Sequence, residues 1–139
     1  NVSLGTDGPA SNNTLDMFET MKIATLLQKL VYLNPKILPV YEVLRMATLN
    51  GAKALRLEKT IGSLEVGKKA DMILVDLSKP HLKPLHSIYA NIVYSAHGSD
   101  VDTVIVDGKI LMENRHVKTL DEQAIMERAE KTAFDLLAR

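Results

Sequence analysis

Asp7 is the residue in this chain best placed for chemistry, standing behind Val2-Ser3-Leu4-Gly5-Thr6 and ahead of Gly8-Pro9. Val2 and Leu4 bracket Ser3 in an alternating pattern that predicts a short strand, and Gly5 lets the backbone leave it. The Ser11-Asn12-Asn13-Thr14 run then predicts a polar loop, followed at once by a long apolar-periodic segment. Strand, glycine-flanked acid, loop and helix is the order in which parallel β/α units set reactive residues at the carboxyl ends of strands. A carboxylate there can ligate a metal ion or take a proton from metal-activated water. The same Asp-Gly pair also suits plain turn capping. Ser11, Asn12 and Asn13 suit the mouth of a pocket, and equally suit helix entry and turn hydrogen bonding.

The four histidines form no ligand pattern. His81 and His86 are five positions apart between Pro80 and Pro84, which matches neither the i, i+4 spacing of a helical metal site nor the i, i+2 spacing of a strand. These two, His97 and His116 are therefore expected in loops or at the surface. Lys68, Lys69 and Asp71 lack the glycine-rich loop with a Lys-Ser or Lys-Thr ending that cradles phosphate, so they read as turn residues. Asp71 is expected to bond local backbone.

The elements that must position Asp7 follow from periodicity. Residues 15–33 predict one long helix, with Asn13 or Thr14 accepting its first N–H groups. Met17, Met21, Ala24, Leu27 and Val31 make one apolar stripe, and Ile23, Leu26, Leu30 and Leu33 a second, so the helix should pack against more than one neighbour. Its methionines read as core. Asn34-Pro35 ends it, and a second helix after Pro39 carries Val40, Val43, Leu44 and Ala47 at helical spacing, with Gly51 expected at a bend.

From Ile61 the texture changes to turns and strands. Met72-Ile73-Leu74-Val75 predicts a strand buried on both faces, and Ile88–Ser95 a short helix with Ala90, Val93 and Tyr94 on one face. Asp107-Gly108 predicts a two-residue hairpin turn pairing Ile105 with Ile110 and Val104 with Leu111. Thr119-x-x-Glu122 has capping-box spacing, with Ile125, Ala129, Ala133, Leu136 and Leu137 as the buried stripe of a last helix.

Composition narrows the function. Seventeen basic and seventeen acidic residues are interspersed, and two Phe, four Tyr and no Trp leave neither a basic stripe nor stacking aromatics, so nucleic acid is not an expected partner. Zero cysteines exclude disulfides and thiolate metal sites. No run has the apolar length of a membrane span, and no leader pattern precedes the strand behind Asn1. The expectation is a cytoplasmic protein, cut from a longer one.

Three ordered blocks carry a resemblance: Leu4-Gly5-Thr6-Asp7-Gly8 with Ser11-Asn12-Asn13 and Leu15-Asp16-Met17; Ala47-Thr48-Leu49-Asn50-Gly51-Ala52-Lys53-Ala54-Leu55 with residues 61–76; and residues 91–96 with 99–108. Together they resemble the last third of enzymes in the amidohydrolase superfamily, in its branch of nucleoside deaminases and triazine hydrolases. The third block narrows the likeness to deaminases of methylthioadenosine and S-adenosylhomocysteine. The resemblance implies an α/β fold. Residues 1–57 would be the last strand, active-site loop and helices of a TIM-like metal-dependent hydrolase barrel. Residues 58–118 would be the carboxy-terminal part of a composite small β-sandwich, and 119–139 a C-terminal helix.

For the complete enzyme the resemblance implies one divalent metal, zinc or iron, and hydrolytic deamination of an adenosine-type nucleoside. Asp7 would be both metal ligand and proton carrier. Alternatives in the same superfamily are a triazine or chloro-ring hydrolase and a guanine-type deaminase. From another class, the alternative is a non-catalytic packing or oligomerisation module. The His-x-His pair and later single histidines of such enzymes are not in this sequence, and one carboxylate cannot hold a catalytic metal, so the isolated chain is expected to retain no metal and to be inactive. Its uncovered apolar faces predict a homo-oligomer.

Overall fold

The computed structural model describes residues 1–138. Its helices are α1 (Pro9–Asn12), α2 (Met17–Val31), α3 (Val40–Ala47), α4 (Leu49–Ala54), α5 (Ile88–Tyr94) and α6 (Glu122–Leu137). Its strands are β1 (Met72–Val75), β2 (Val101–Val106), β3 (Lys109–Glu113) and β4 (His116–Val117), with single 3-10 turns at Pro80–Leu82 and Gly98–Asp100. The strands form one antiparallel sheet in the order β1-β2-β3-β4. The core lies where α2, α3 and α5 meet the start of β2, built from Phe18, Met21, Val43, Leu82, Val93, Ala96 and Val101.

Residues 2–4 form no strand. A ladder needs a neighbouring strand, and the Leu4 N–H instead donates to the Met46 carbonyl at 3.0 Å. The loop expected at 9–14 is in part helical: Pro9 occupies the first helical position of α1, where its missing N–H costs nothing.

Helix α2 begins two residues later than its pattern suggests because Asp16 caps it, accepting from Phe18 N at 2.8 Å and Glu19 N at 3.4 Å. Thr14 is engaged elsewhere, donating its hydroxyl to Glu19 Oε2 at 2.7 Å. The buried face of α2 is Phe18, Met21 and Thr25, while Ile23, Leu26, Leu27, Leu30 and Val31, expected inside, are exposed. Thr25 tolerates full burial because its hydroxyl donates to the Met21 carbonyl at 2.7 Å.

The second helix keeps its expected face, with Val43 fully buried and Val40, Leu44 and Ala47 packed on the core. The bend falls at Thr48, whose φ of −130° and ψ of −93° break the helix, and Gly51 lies inside α4.

Strand β1 sits at the sheet edge, so Ile73 and Leu74 are about half exposed rather than covered on both faces. The hairpin turn forms as the Asp-Gly pair demands, with φ of 51° at Asp107 and 75° at Gly108. Ile105 pairs with Ile110, but a register shift gives Val104 to Met112 in place of Leu111. Asp71 reaches beyond its own turn and accepts the Asp107 N–H at 2.7 Å.

Helix α6 is capped by Asp121, which accepts from Ala124 N, so Glu122 is its first residue and the Thr119 capping box does not form. None of its residues is buried, because no other element among the described residues covers the stripe from Ile125 to Leu137.

Candidate active site

Asp7 has a φ of 58°, the left-handed region that Asp tolerates better than most side chains. Its Oδ1 accepts the Gly8 N–H at 2.7 Å, and its carbonyl accepts the Thr6 hydroxyl at 3.1 Å. Gly8 then caps α1, and Asn13, with a φ of 62°, ends it by donating its N–H to the Pro9 carbonyl at 2.9 Å. This tight sequence of turns folds Ser11 and Asn12 back towards Asp7. Among the described residues no donor reaches Asp7 Oδ2, and the side chain is exposed.

Asp7, Ser11 and Asn12 line one open concavity of about 370 Å³, together with Gly5, Thr6 and the α2 residues Thr20, Ile23 and Ala24. Asn13 is outside it, used up as the end of α1. In the sequence Ile23 and Ala24 read as members of apolar stripes, and Thr20 carries no signal of its own. Their spacing does put all three on one face of α2; what the spacing lacks is which face the 5–12 segment folds over.

A second acid, Asp100, carries no signal of its special surroundings in the sequence. Asp100 is 1 % exposed and lies with Oδ1 at 3.0 Å from Lys79 Nζ and Oδ2 at 2.9 Å from His81 Nε2, while the His97 N–H donates to Oδ2 at 2.8 Å. Burial would push its carboxyl up, but the contacts to His81, the His97 N–H and Lys79 outweigh that and hold it down at about 2. All four histidines are exposed, as expected, and two of them serve this acid. The same turn reaches the helix behind the site: Gly98 donates its N–H to Asp16 Oδ2 at 2.8 Å, tying the β2 end of the sheet to the cap of α2.

Among the described residues no three His, Cys, Asp or Glu side chains converge as a metal group would require. Asp7 fits as one ligand of such a site, being an acceptor-only carboxylate with an oxygen that takes no hydrogen bond. The remaining ligands would have to come from outside these residues.

Residues 1–111 match the model of the Amidohydrolase family. The chain belongs to that family. Among its amidohydrolase relatives, a 5'-deoxyadenosine deaminase of Methanosarcina mazei is 60% identical over 139 residues, the whole of this chain and 32% of that protein. A 5-methylthioadenosine/S-adenosylhomocysteine deaminase of Thermoanaerobacter pseudethanolicus is 52% identical over the same 139 residues, again 32% of its length. The chain thus spans about a third of these curated relatives. Of solved structures, a zinc-bound adenosine deaminase from Xanthomonas campestris superposes on 99% of this chain and 31% of its own, with a TM-score of 0.95 and 38% identity. A zinc complex of atrazine chlorohydrolase from Arthrobacter aurescens covers 91% of this chain and 28% of its own, with a TM-score of 0.80 and 28% identity. An α/β amidohydrolase fold with a small antiparallel sheet is what these neighbours share with the chain.

Proposed function

We propose that this chain is the carboxy-terminal third of a longer amidohydrolase that hydrolytically deaminates adenosine-type nucleosides: methylthioadenosine, S-adenosylhomocysteine or 5′-deoxyadenosine. The observation that carries the reading is Asp7, an open carboxylate on a left-handed turn above a concavity, in a chain 60% and 52% identical to proteins bearing such names. In this reading residues 1–57 complete a barrel, 58–118 complete a composite β-sandwich, and the segment behind them carries the terminal helix α6. The likeness to an atrazine chlorohydrolase, at 28% identity, supports the family but ranks that chemistry second.

A divalent metal, zinc or iron, when bound supplies water of lowered pKa. Asp7 would be one of its ligands. The Gly8 N–H bonds Oδ1 at 2.7 Å and so favours the orientation in which the carboxylate borders the concavity. The Asp7 carboxylate would take a proton from the attacking water and return it to the departing amine. The water oxygen bonds to the carbon that carries the exocyclic amine, the C–N bond breaks and ammonia leaves, and the second water proton passes to the adjacent ring nitrogen as the carbonyl forms. Ser11 and Asn12 present polar groups at the same concavity and orient the nucleoside there.

Balanced charge argues against a nucleic-acid partner, and no helix of the described residues is long and apolar enough to cross a membrane, which suits a cytoplasmic enzyme. Exposed Leu26, Leu30, Val31 and the apolar side of α6 give it surface to bury against the rest of its own chain and in a homo-oligomer.

The test compares this chain alone with the chain joined to its amino-terminal portion, using ammonia release from the three nucleosides and chloride release from a chlorotriazine, with metal analysis of both. The joined protein should hold about one metal per chain and prefer a nucleoside, and the isolated chain should do neither. Turnover by the isolated chain, or preference for the triazine, would overturn the proposal.

A further inference from the structure

Residues 1–4 lead directly into Asp7, yet they belong to no sheet among the described residues. Three hydrogen bonds hold them, all at the α3–α4 junction. Leu4 N donates to the Met46 carbonyl at 3.0 Å, Asn50 Nδ2 donates to the Val2 carbonyl at 2.8 Å, and Asn1 Nδ2 donates to the Asn50 carbonyl at 2.9 Å. Asn50 takes part in two of the three.

The junction is shaped for this. In an unbroken helix the Met46 carbonyl would be consumed by the N–H of residue 50. The break at Thr48 leaves it among the orphan acceptors at the end of α3, where Leu4 can use it. The same break starts α4 afresh, with Asn50 in its first turn and its amide on the Val2 carbonyl. Gly62 packs against α4: a Cβ there would come within 2.6 Å of Ala52 Cβ and 3.2 Å of Leu49 Cα, and its φ of +90° already disfavours any side chain. The turn-rich passage from Ile61 therefore fixes the helix that carries Asn50.

We infer that Asn50 is a positioning residue for Asp7: its side-chain amide grips the Val2 carbonyl, setting the height of the segment that carries the reactive carboxylate. Asn50 itself does not line the concavity. The inference rests on the reading of Asp7 given above. An amide is the required group. Asn50→Asp would set a carboxylate oxygen against the Val2 carbonyl, and Asn50→Leu would offer no donor.

The experiment is a double-mutant cycle in the full-length enzyme, with Asn50→Asp and Asn50→Leu made alone and in an Asp7→Asn background. A misplacement of this kind should lower kcat by about 10- to 100-fold with KM little changed. In the Asp7→Asn background neither substitution should lower the residual kcat further, because the group being positioned is gone. Asn50→Gln, with the amide on a longer arm, should recover part of the loss, and melting curves confirm that each variant is folded. Near-normal kcat in folded Asn50→Asp overturns the inference, as does an equal fractional loss in both backgrounds. Should Asp7→Asn alone keep full kcat, the reading of Asp7 falls first and takes this one with it.

Discussion

The Asp7 turn and the Asp100 turn put the same side chain to opposite uses. Asp7 is exposed, held at one oxygen by the neighbouring Gly8 N–H, with no donor on the other. Asp100 is enclosed, with an ammonium, an imidazole and a backbone N–H around its two oxygens. A perturbed carboxyl in a protein is a reasonable pointer to chemistry, and by that rule Asp100 would be the first choice. The comparison shows why it is not. Its acidity is strengthened by the His81 ring and the His97 N–H on Oδ2 and by the Lys79 ammonium beside Oδ1, and at 1 % exposure it faces no open space where a substrate could reach it. Asp7 has one oxygen bonded by the neighbouring N–H and one that takes no donor among the described residues, which leaves it open to a ligand or a proton.

Substitutions at the two acids should separate these uses. The largest effect is expected from Asp7→Asn in the full-length enzyme, where kcat should fall by about 10²–10⁴-fold while the melting temperature barely moves. Steady-state kinetics beside a melting curve checks both halves, and a normal kcat with full metal content would make Asp7 a turn residue only. Asp100→Asn should invert the pattern, leaving kcat per folded enzyme near normal and costing about 2 kcal/mol of stability.

That cost carries a pH signature. The folded-state carboxyl of Asp100 lies at about 2, below its ordinary value of 3.8, so its contribution is complete above about pH 5 and disappears as pH falls towards 2. Denaturant titrations should therefore show the gap between wild type and Asp100→Asn closing on acidification. A gap that persists unchanged at pH 2 would mean that packing, not charge, explains it.

Smaller effects test the link between the regions. Asp16→Ala removes both the cap of α2 and the tether to Gly98, and should cost about 1–2 kcal/mol. Asp121→Ala removes a cap of the same kind from fully exposed α6 and should cost no more than about 0.5 kcal/mol. Equal losses at the two caps would show that the Gly98 tether adds nothing.

What the sequence made legible is mostly local. The Asp107-Gly108 turn needs two left-handed residues in succession, and that pair supplies them whatever surrounds it. The Val43 face of α3 and the short helix around Val93 were likewise written in helical spacing. Burial was not. The Leu26–Val31 stripe, strand β1 and the α6 stripe all carry the residues of covered surfaces, but burial depends on what lies opposite, and this chain spans about a third of its relatives' length. Within the site, Asp7 stood out because glycines flank it, and Ser11 and Asn12 because they follow it closely. Thr20, Asn50 and Asp100 did not, since each matters through a partner distant in the chain or a surface folded over it.

The long-range ties described above also set an order of events. Val2 is gripped by a residue 48 positions later, and Asp16 is tied to a residue 82 positions later. At synthesis rates of about 5–20 residues per second, Gly98 is made roughly 4–16 s after Asp16. Helix α2 can fold within that interval on its local cap, while the Asn50 tie to Val2 waits until α4 is made and the Gly98 tie to Asp16 for longer still. A chain just extended past Asp7 thus carries the acid before it carries the Asn50 tie proposed to aim it.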